Sequence, residues 1–233
     1  MKQTFLLLFA LFSLIANAQK DVTKFLGIPV DGTKAEMKTK LINKGFTYDA
    51  QLDNFSGEFN GRAVDVYIGT NNNKVWRIMV CDKNWSNETD IKIRFNNLCR
   101  QFSKNQRYVP ANFGEKEYTL SPDERISYEI NVNKKRYEAS FYQIPDPALI
   151  DTIAIKNQVK ESLLSYYTQE ELDNPTDIKS EEIEKKARDI ALDITLDVME
   201  KKFVWFMIQN KNGEYFITMF YDNEYNHSDG EDL

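Results

Sequence analysis

The sequence predicts an α+β protein built on antiparallel sheet. Three observations predict it. Segments that alternate apolar and polar residues are joined by tight turns such as Asn60-Gly61. Amphipathic segments with helix-cap signals precede them. The order of one helix followed by three strands occurs twice, over 33–82 and over 87–144, as a likeness of pattern and not of letters. A helical segment with a C-terminal β-hairpin follows this tandem unit.

The first helix is expected over 34–44. Thr33 and Glu36 form a T-x-x-E capping box, and Met37 and Leu41 share one face. Gly45 stands where a glycine ends a helix. Residues 53–59, 62–69 and 74–81 read as three strands, with Val64, Val66 and Ile68 on one face and Trp76, Ile78 and Val80 together. A second helix is expected over 87–104 from Ile91, Phe95, Leu98 and Phe102, capped by Ser86 or Asn87. Three further strands are read near 116–120, over 125–132 from Ile126, Tyr128, Ile130 and Val132, and over 136–144.

Pro145 and Pro147 mark a boundary. Helices are expected over 149–167 and 180–202, separated by a turn that begins at Thr168 and breaks at Asn174-Pro175. Ser180 is the expected cap of the second, and Ile183, Ala187, Ile190, Ile194 and Val198 its apolar stripe. The strands 203–209 and 214–222 close the chain. The expected division is therefore a signal peptide over 1–18, a tandem α+β unit over 19–145, helices plus hairpin over 146–224, and a polar tail over 225–233.

The signal peptide is read from Lys2, an apolar run over 5–16, and Ala16-Asn17-Ala18 as a small-x-small cleavage site. Cleavage after Ala18 would send the chain to the periplasm or outside the cell. No cysteine follows the apolar run to carry a lipid, and no later stretch reaches the ~20 apolar residues of a membrane span. The net charge of −6, without a dense Lys/Arg patch, makes nucleic acid an unfavourable partner.

Chemistry is sparse. The patterns G-x-S-x-G, H-E-x-x-H, G-x-G-x-x-G and the P-loop do not occur. With His227 as the one histidine, a Ser-His-Asp or Cys-His centre has no base, and a Cys/His zinc site lacks ligands. No catalytic, cofactor or metal residue is assigned. Cys81 and Cys99 could form a disulfide if the helix bearing Cys99 packs on the strand ending at Cys81; two buried free thiols are the alternative. Asp189, Asp193 and Asp197 line one helix face, as a weak candidate for a hard cation or as a solvated face. Trp205, Phe206, Tyr215, Phe216 and Phe220 are the candidate interface, since both faces of the last hairpin are apolar. Burial of both faces within the chain is the alternative. Asp222 to Asn226 places oxygen ligands at alternate positions, like the start of a calcium loop, but lacks that loop's glycine and final Glu.

The segments FLGIPVDGTKAEMKTKLINKGF, GEFNGRAVDVYIG, NNNKVWRIMV and ETDIKIRFNNLCRQF resemble a family of uncharacterised exported proteins of Gram-negative bacteria. The tandem order of helix and antiparallel sheet resembles β-lactamase-inhibitor-like folds, and such folds generally bind other proteins. That resemblance, export and the missing catalytic motifs lead to the expectation of a non-catalytic binding protein of the cell envelope, with a protein as partner. A carboxylate-dependent hydrolase and a secreted enzyme inhibitor are the competing expectations.

Overall fold

A computed structural model describes residues 21–149 and 151–227. The expected signal peptide and residues 228–233 of the expected tail lie outside the described residues. The chain is α+β and divides into two compact units. One comprises residues 22–144 and 195–227, the other Asp21 and residues 145–194.

The larger unit carries a two-stranded ribbon, β1 (Lys24–Phe25) and β2 (Ile28–Pro29), and one eight-stranded antiparallel sheet. Its strands are β3 (Thr47–Asp49), β4 (Asn54–Phe59), β5 (Arg62–Asn71), β6 (Lys74–Asp82), β7 (Tyr108–Pro110), β8 (Glu138–Gln143), β9 (Lys202–Lys211) and β10 (Glu214–Asn223). Their spatial order is β3-β4-β5-β6-β10-β9-β8-β7.

Helix α1 (Lys34–Asn43) begins at the expected capping box, in which the Thr33 hydroxyl accepts from the Glu36 N–H and the Glu36 carboxylate accepts from the Thr33 N–H. Gly45, at φ 95°, ends it. Helix α2 (Glu88–Lys104) starts from Asn87, whose side chain accepts from Asp90 N–H. Met37 and Leu41 of α1 and Ile91, Phe95, Leu98 and Phe102 of α2 are buried in one core with Val66, Ile78, Val80, Phe141, Val204, Phe206, Met219 and Tyr221 from the strands. Each such side chain contributes about 1.5–3 kcal/mol by leaving water. Both helices therefore cover the same face of the sheet.

The strand order is that of a duplication. The first repeat runs α1-β3-β4-β5-β6 and the second α2-β7-β8-β9-β10, and β6 meets β10 at the centre. The pairs Ile78↔Tyr221 and Val80↔Met219 flank Met79↔Phe220 symmetrically. Phe55 and Phe141 hold equivalent buried positions on β4 and β8, as do Val66 and Val204 on β5 and β9.

The second repeat thus reaches further along the chain than 144. The C-terminal hairpin pairs with β6 and β8 and completes the sheet, so it does not form a unit with the preceding helices. Residues 125–132 are not a strand but contain helix α3 (Ile126–Asn131). Ile126 and Ile130 are as compatible with one helical face as with strand alternation, and of this helix only Ile126 is buried. Residues 116–120 form no strand; β7 lies earlier, at Tyr108–Pro110. In β6 the register shift between Gly69 and Thr70 moves Trp76 out of line with Ile78 and Val80, and Val75 is buried instead.

The smaller unit is helical. Helix α4 (Thr152–Leu163) is capped by Asp151, which accepts from Ile153 and Ala154 N–H. Helix α5 (Gln169–Asp173) starts at the Thr168/Glu171 capping box. Helix α6 (Asp177–Glu200) begins before Ser180, and its last residues belong to the larger unit. Its expected apolar stripe is half-buried. Among the described residues no helix is long and apolar enough to cross a membrane.

Candidate functional site

Strand alternation sends neighbouring residues of β9 and β10 to opposite faces. Phe206 and Tyr215 point into the helix-covered core at 0% and 2% exposure, so these two interface candidates are core residues. Phe206 meets Phe95 and Phe102 of α2. Trp205 and Phe216, half-buried, and Phe220, buried at 8% exposure, lie on the face turned away from α1 and α2.

That face carries an aromatic and charged cluster. Trp205 and Phe220, paired across β9 and β10, stack with centroids 4.1 Å apart. Arg77 of β6 lies beside them, its guanidinium carbon 4.1 Å from the Trp76 ring centre and 4.8 Å from that of Phe220. Arg77 Nε and Nη2 donate to Asp222 Oδ1 and Oδ2 at 2.6 and 2.7 Å, and Trp205 Nε1 donates to Oδ2 at 2.9 Å. The fork geometry is the bidentate one that suits Arg to carboxylate. Since β6 and β10 belong to different repeats, the pair clamps the halves together.

From this clamp an aromatic band continues through Phe203 and Tyr142 to Phe113, with centroid separations of 5.7 and 6.0 Å. Beyond the other end of the hairpin, Phe216 stacks on Trp85 at 5.8 Å. Phe113 and Trp85 are 58% and 41% exposed, so both ends of the arrangement reach solvent. His227 sits 4.5 Å from the Trp76 ring and 3.3 Å from Glu224. Partial burial, then the neighbouring Asp222, push the Glu224 carboxyl above its ordinary value.

This chemistry suits recognition. Both oxygens of Asp222 accept hydrogen bonds from Arg77 and Trp205, so the carboxylate serves as a strut. Glu124, which lines a separate cleft of about 340 Å³, is held below its ordinary value by hydrogen bonds from Lys135 and Tyr137. That is the reverse of the shift a general acid requires.

Cys81 and Cys99 are free thiols. Cys81 pairs in register with Asp65 and Thr218 on the second face, whereas Cys99 is buried beneath α2 on the first. The sheet itself stands between them, which is why no disulfide joins them and the alternative of free thiols holds. Burial pushes the Cys99 thiol up to about 12. Asp189, Asp193 and Asp197 are exposed on α6, and among the described residues no three His, Cys, Asp or Glu side chains are placed to hold a metal ion. Asn226 of the expected loose tail is fastened, donating to Asp31 and to the Val75 carbonyl.

Sequence reasoning passed over Arg77 and Tyr142, placed Trp76 in the stripe with Ile78 and Val80, and weighed Asp222 only as the start of a calcium-like loop. The alternation of β6 and β9 held a signal for some of them, but only the β6–β10 pairing joins Arg77 to Asp222. Comparison of the chain with protein-family models, with curated proteins and with solved structures finds no match.

Proposed function

We propose that the chain is an exported, non-catalytic binding protein of the cell envelope that takes a protein partner on the second face of its sheet. The observation that carries the reading is the Trp76–Arg77–Phe220–Trp205 cluster, continued to exposed Phe113 and Trp85 flanking. Trp, Tyr, Phe and Arg are the side chains enriched where proteins meet. The expected leader peptide and the β-lactamase-inhibitor-like order of elements support the same reading.

The test is capture from a native envelope extract with the mature protein and two variants. A partner retained by the wild type and by Ile93→Ser, a change at an exposed position of α2, but lost with Trp205→Ala or Phe216→Ala, is the expected result. Hydrolysis of a glycan or peptide panel with nothing captured would instead favour the carboxylate enzyme. Phe113 gives the inhibitor reading a specific foothold, being an exposed aromatic at φ 50° in the turn before Gly114. If that reading holds, Phe113→Ala alone abolishes inhibition of the captured enzyme.

A further inference from the structure

On the helix-covered face, where the two repeats meet, a cavity of about 210 Å³ opens beside the end of α2. Phe59, Phe102, Met219 and Tyr221 supply its apolar wall, and Leu26 stands at its mouth. The volume exceeds the ~150 Å³ that admits benzene and falls below the ~300–1,000 Å³ of drug-sized pockets. It therefore suits one ring or a short alkyl chain.

The polar lining has a consistent sign. Arg107 is the one charged residue in it, is exposed, and has no carboxylate partner among the described residues. Tyr108 accepts from Gln143 Nε2 at 3.1 Å, which leaves its own O–H proton unspent. Tyr221 lines the cavity, and its hydroxyl makes no hydrogen bond among the described residues, so it too is open to a ligand as a donor. The lining side-chain acceptors are already in use: Asn60 Oδ1 accepts from Arg94, Gln101 Oε1 from Asn60, and Asn105 Oδ1 from the Arg107 N–H. What remains is one cation and several donors around an apolar body.

Leu26 adds an independent sign of use. It occupies the two-residue β1–β2 turn with φ 51°, followed by Gly27 at φ 79°. Asn or Gly is favoured at such a position, whereas leucine is strained there. The turn keeps a leucine at a place where it covers the cavity and is itself 40% exposed.

We propose that this cavity binds a small organic carboxylate with a single-ring or short-chain apolar body, its charge meeting Arg107 and the tyrosine hydroxyls. The site is separate from the sheet-face reading and stands or falls without it. Burial keeps both tyrosines protonated, and so donors, across the physiological range.

The experiment uses the full mature chain and the probes benzoate, phenylacetate and hexanoate, each beside its neutral amide, read by calorimetry and by thermal shift. The carboxylates are expected to bind at least about tenfold more tightly than the amides. Arg107→Gln, at an exposed position, should erase that preference, and Tyr221→Phe should weaken carboxylate binding about tenfold. Leu26→Asn should raise the melting temperature of the free protein while weakening the probes. If Tyr221→Phe fails to fold, Arg107→Gln decides alone. Absence of binding by all three acids, equal binding of acids and amides, or unchanged preference in Arg107→Gln would overturn the proposal.

Discussion

Replacing Arg77 by methionine keeps much of its stem but removes the charge that holds Asp222. The Asp222 side chain is 1% exposed and the Arg77 side chain 27%. Breaking a buried pair by deleting one partner costs about 3–5 kcal/mol, because the other charge is left uncompensated. Arg77 is partly exposed and the Trp205 N–H would remain on the carboxylate, so the lower end applies, about 3 kcal/mol. In a chain of this size each kcal/mol moves the melting temperature by about 2–4 °C, which gives a fall of about 6–12 °C. Urea unfolding monitored by tryptophan fluorescence and by far-UV dichroism measures the free-energy change directly. A companion result tests the cause. Adding Asp222→Asn to Arg77→Met should recover much of the loss, since the orphaned charge is gone. A loss below about 1 kcal/mol, the range of exposed ion pairs, together with no recovery in the double variant, would refute the clamp.

Three further outcomes are expected. Native protein should show two free thiols, Cys99 unreactive towards iodoacetamide near neutral pH because burial holds it protonated, and Cys81 slow for the same reason; a Cys81–Cys99 bond formed without unfolding would contradict their placement on opposite faces. Gly57→Ala would put a Cβ 2.5 Å from Phe46 Cδ1, and with Phe46 only 4% exposed the strain should cost about 1–3 kcal/mol in denaturant unfolding, a change below half of that range counting against the packing. Glu224 has its folded value raised above 4.5, so its contribution is present below the unfolded value and lost as pH rises through the folded one; Glu224→Gln should flatten that limb of the stability curve and be the more stable form at neutral pH, and an unchanged pH profile would show the burial to be inconsequential.

Local signals were well written in the sequence. The Thr33 and Thr168 capping boxes, the Asn60-Gly61 turn and the apolar stripe of α2 each act over a few residues, so one chain suffices to read them. The α+β class follows from them. Non-local pairing is another matter. Nothing local says that β10 seeks β6, so the C-terminal hairpin could be recognised as a hairpin but not placed in the sheet. The 125–132 segment fails for a related reason: Ile126, Tyr128, Ile130 and Val132 satisfy a period of two and, through Ile126 and Ile130, a helical spacing as well. The candidate site was legible by halves. Trp205, Phe216 and Phe220 were singled out together with Phe206 and Tyr215, because a strand apolar on both sides does not announce which side the helices will cover. Trp76 shows the limit most clearly, since a single register shift at Gly69/Thr70 changes the direction of its side chain.

The duplication also says something about where the helical unit resides. In the first repeat, β4 and β5 are joined by Asn60-Gly61 alone, with φ 52° and 69°. At the equivalent gap in the second repeat, between β8 and β9, the chain leaves for residues 144–201 before returning. Tyr142 and Phe203 are cross-strand partners, so departure and re-entry lie side by side. The helical unit is thus a guest housed in a hairpin turn, and long guests at such a point weigh little because closure entropy grows only logarithmically with length. Joining Gln143 directly to Lys202 through Asn-Gly would evict it while copying the architecture that the first repeat already uses.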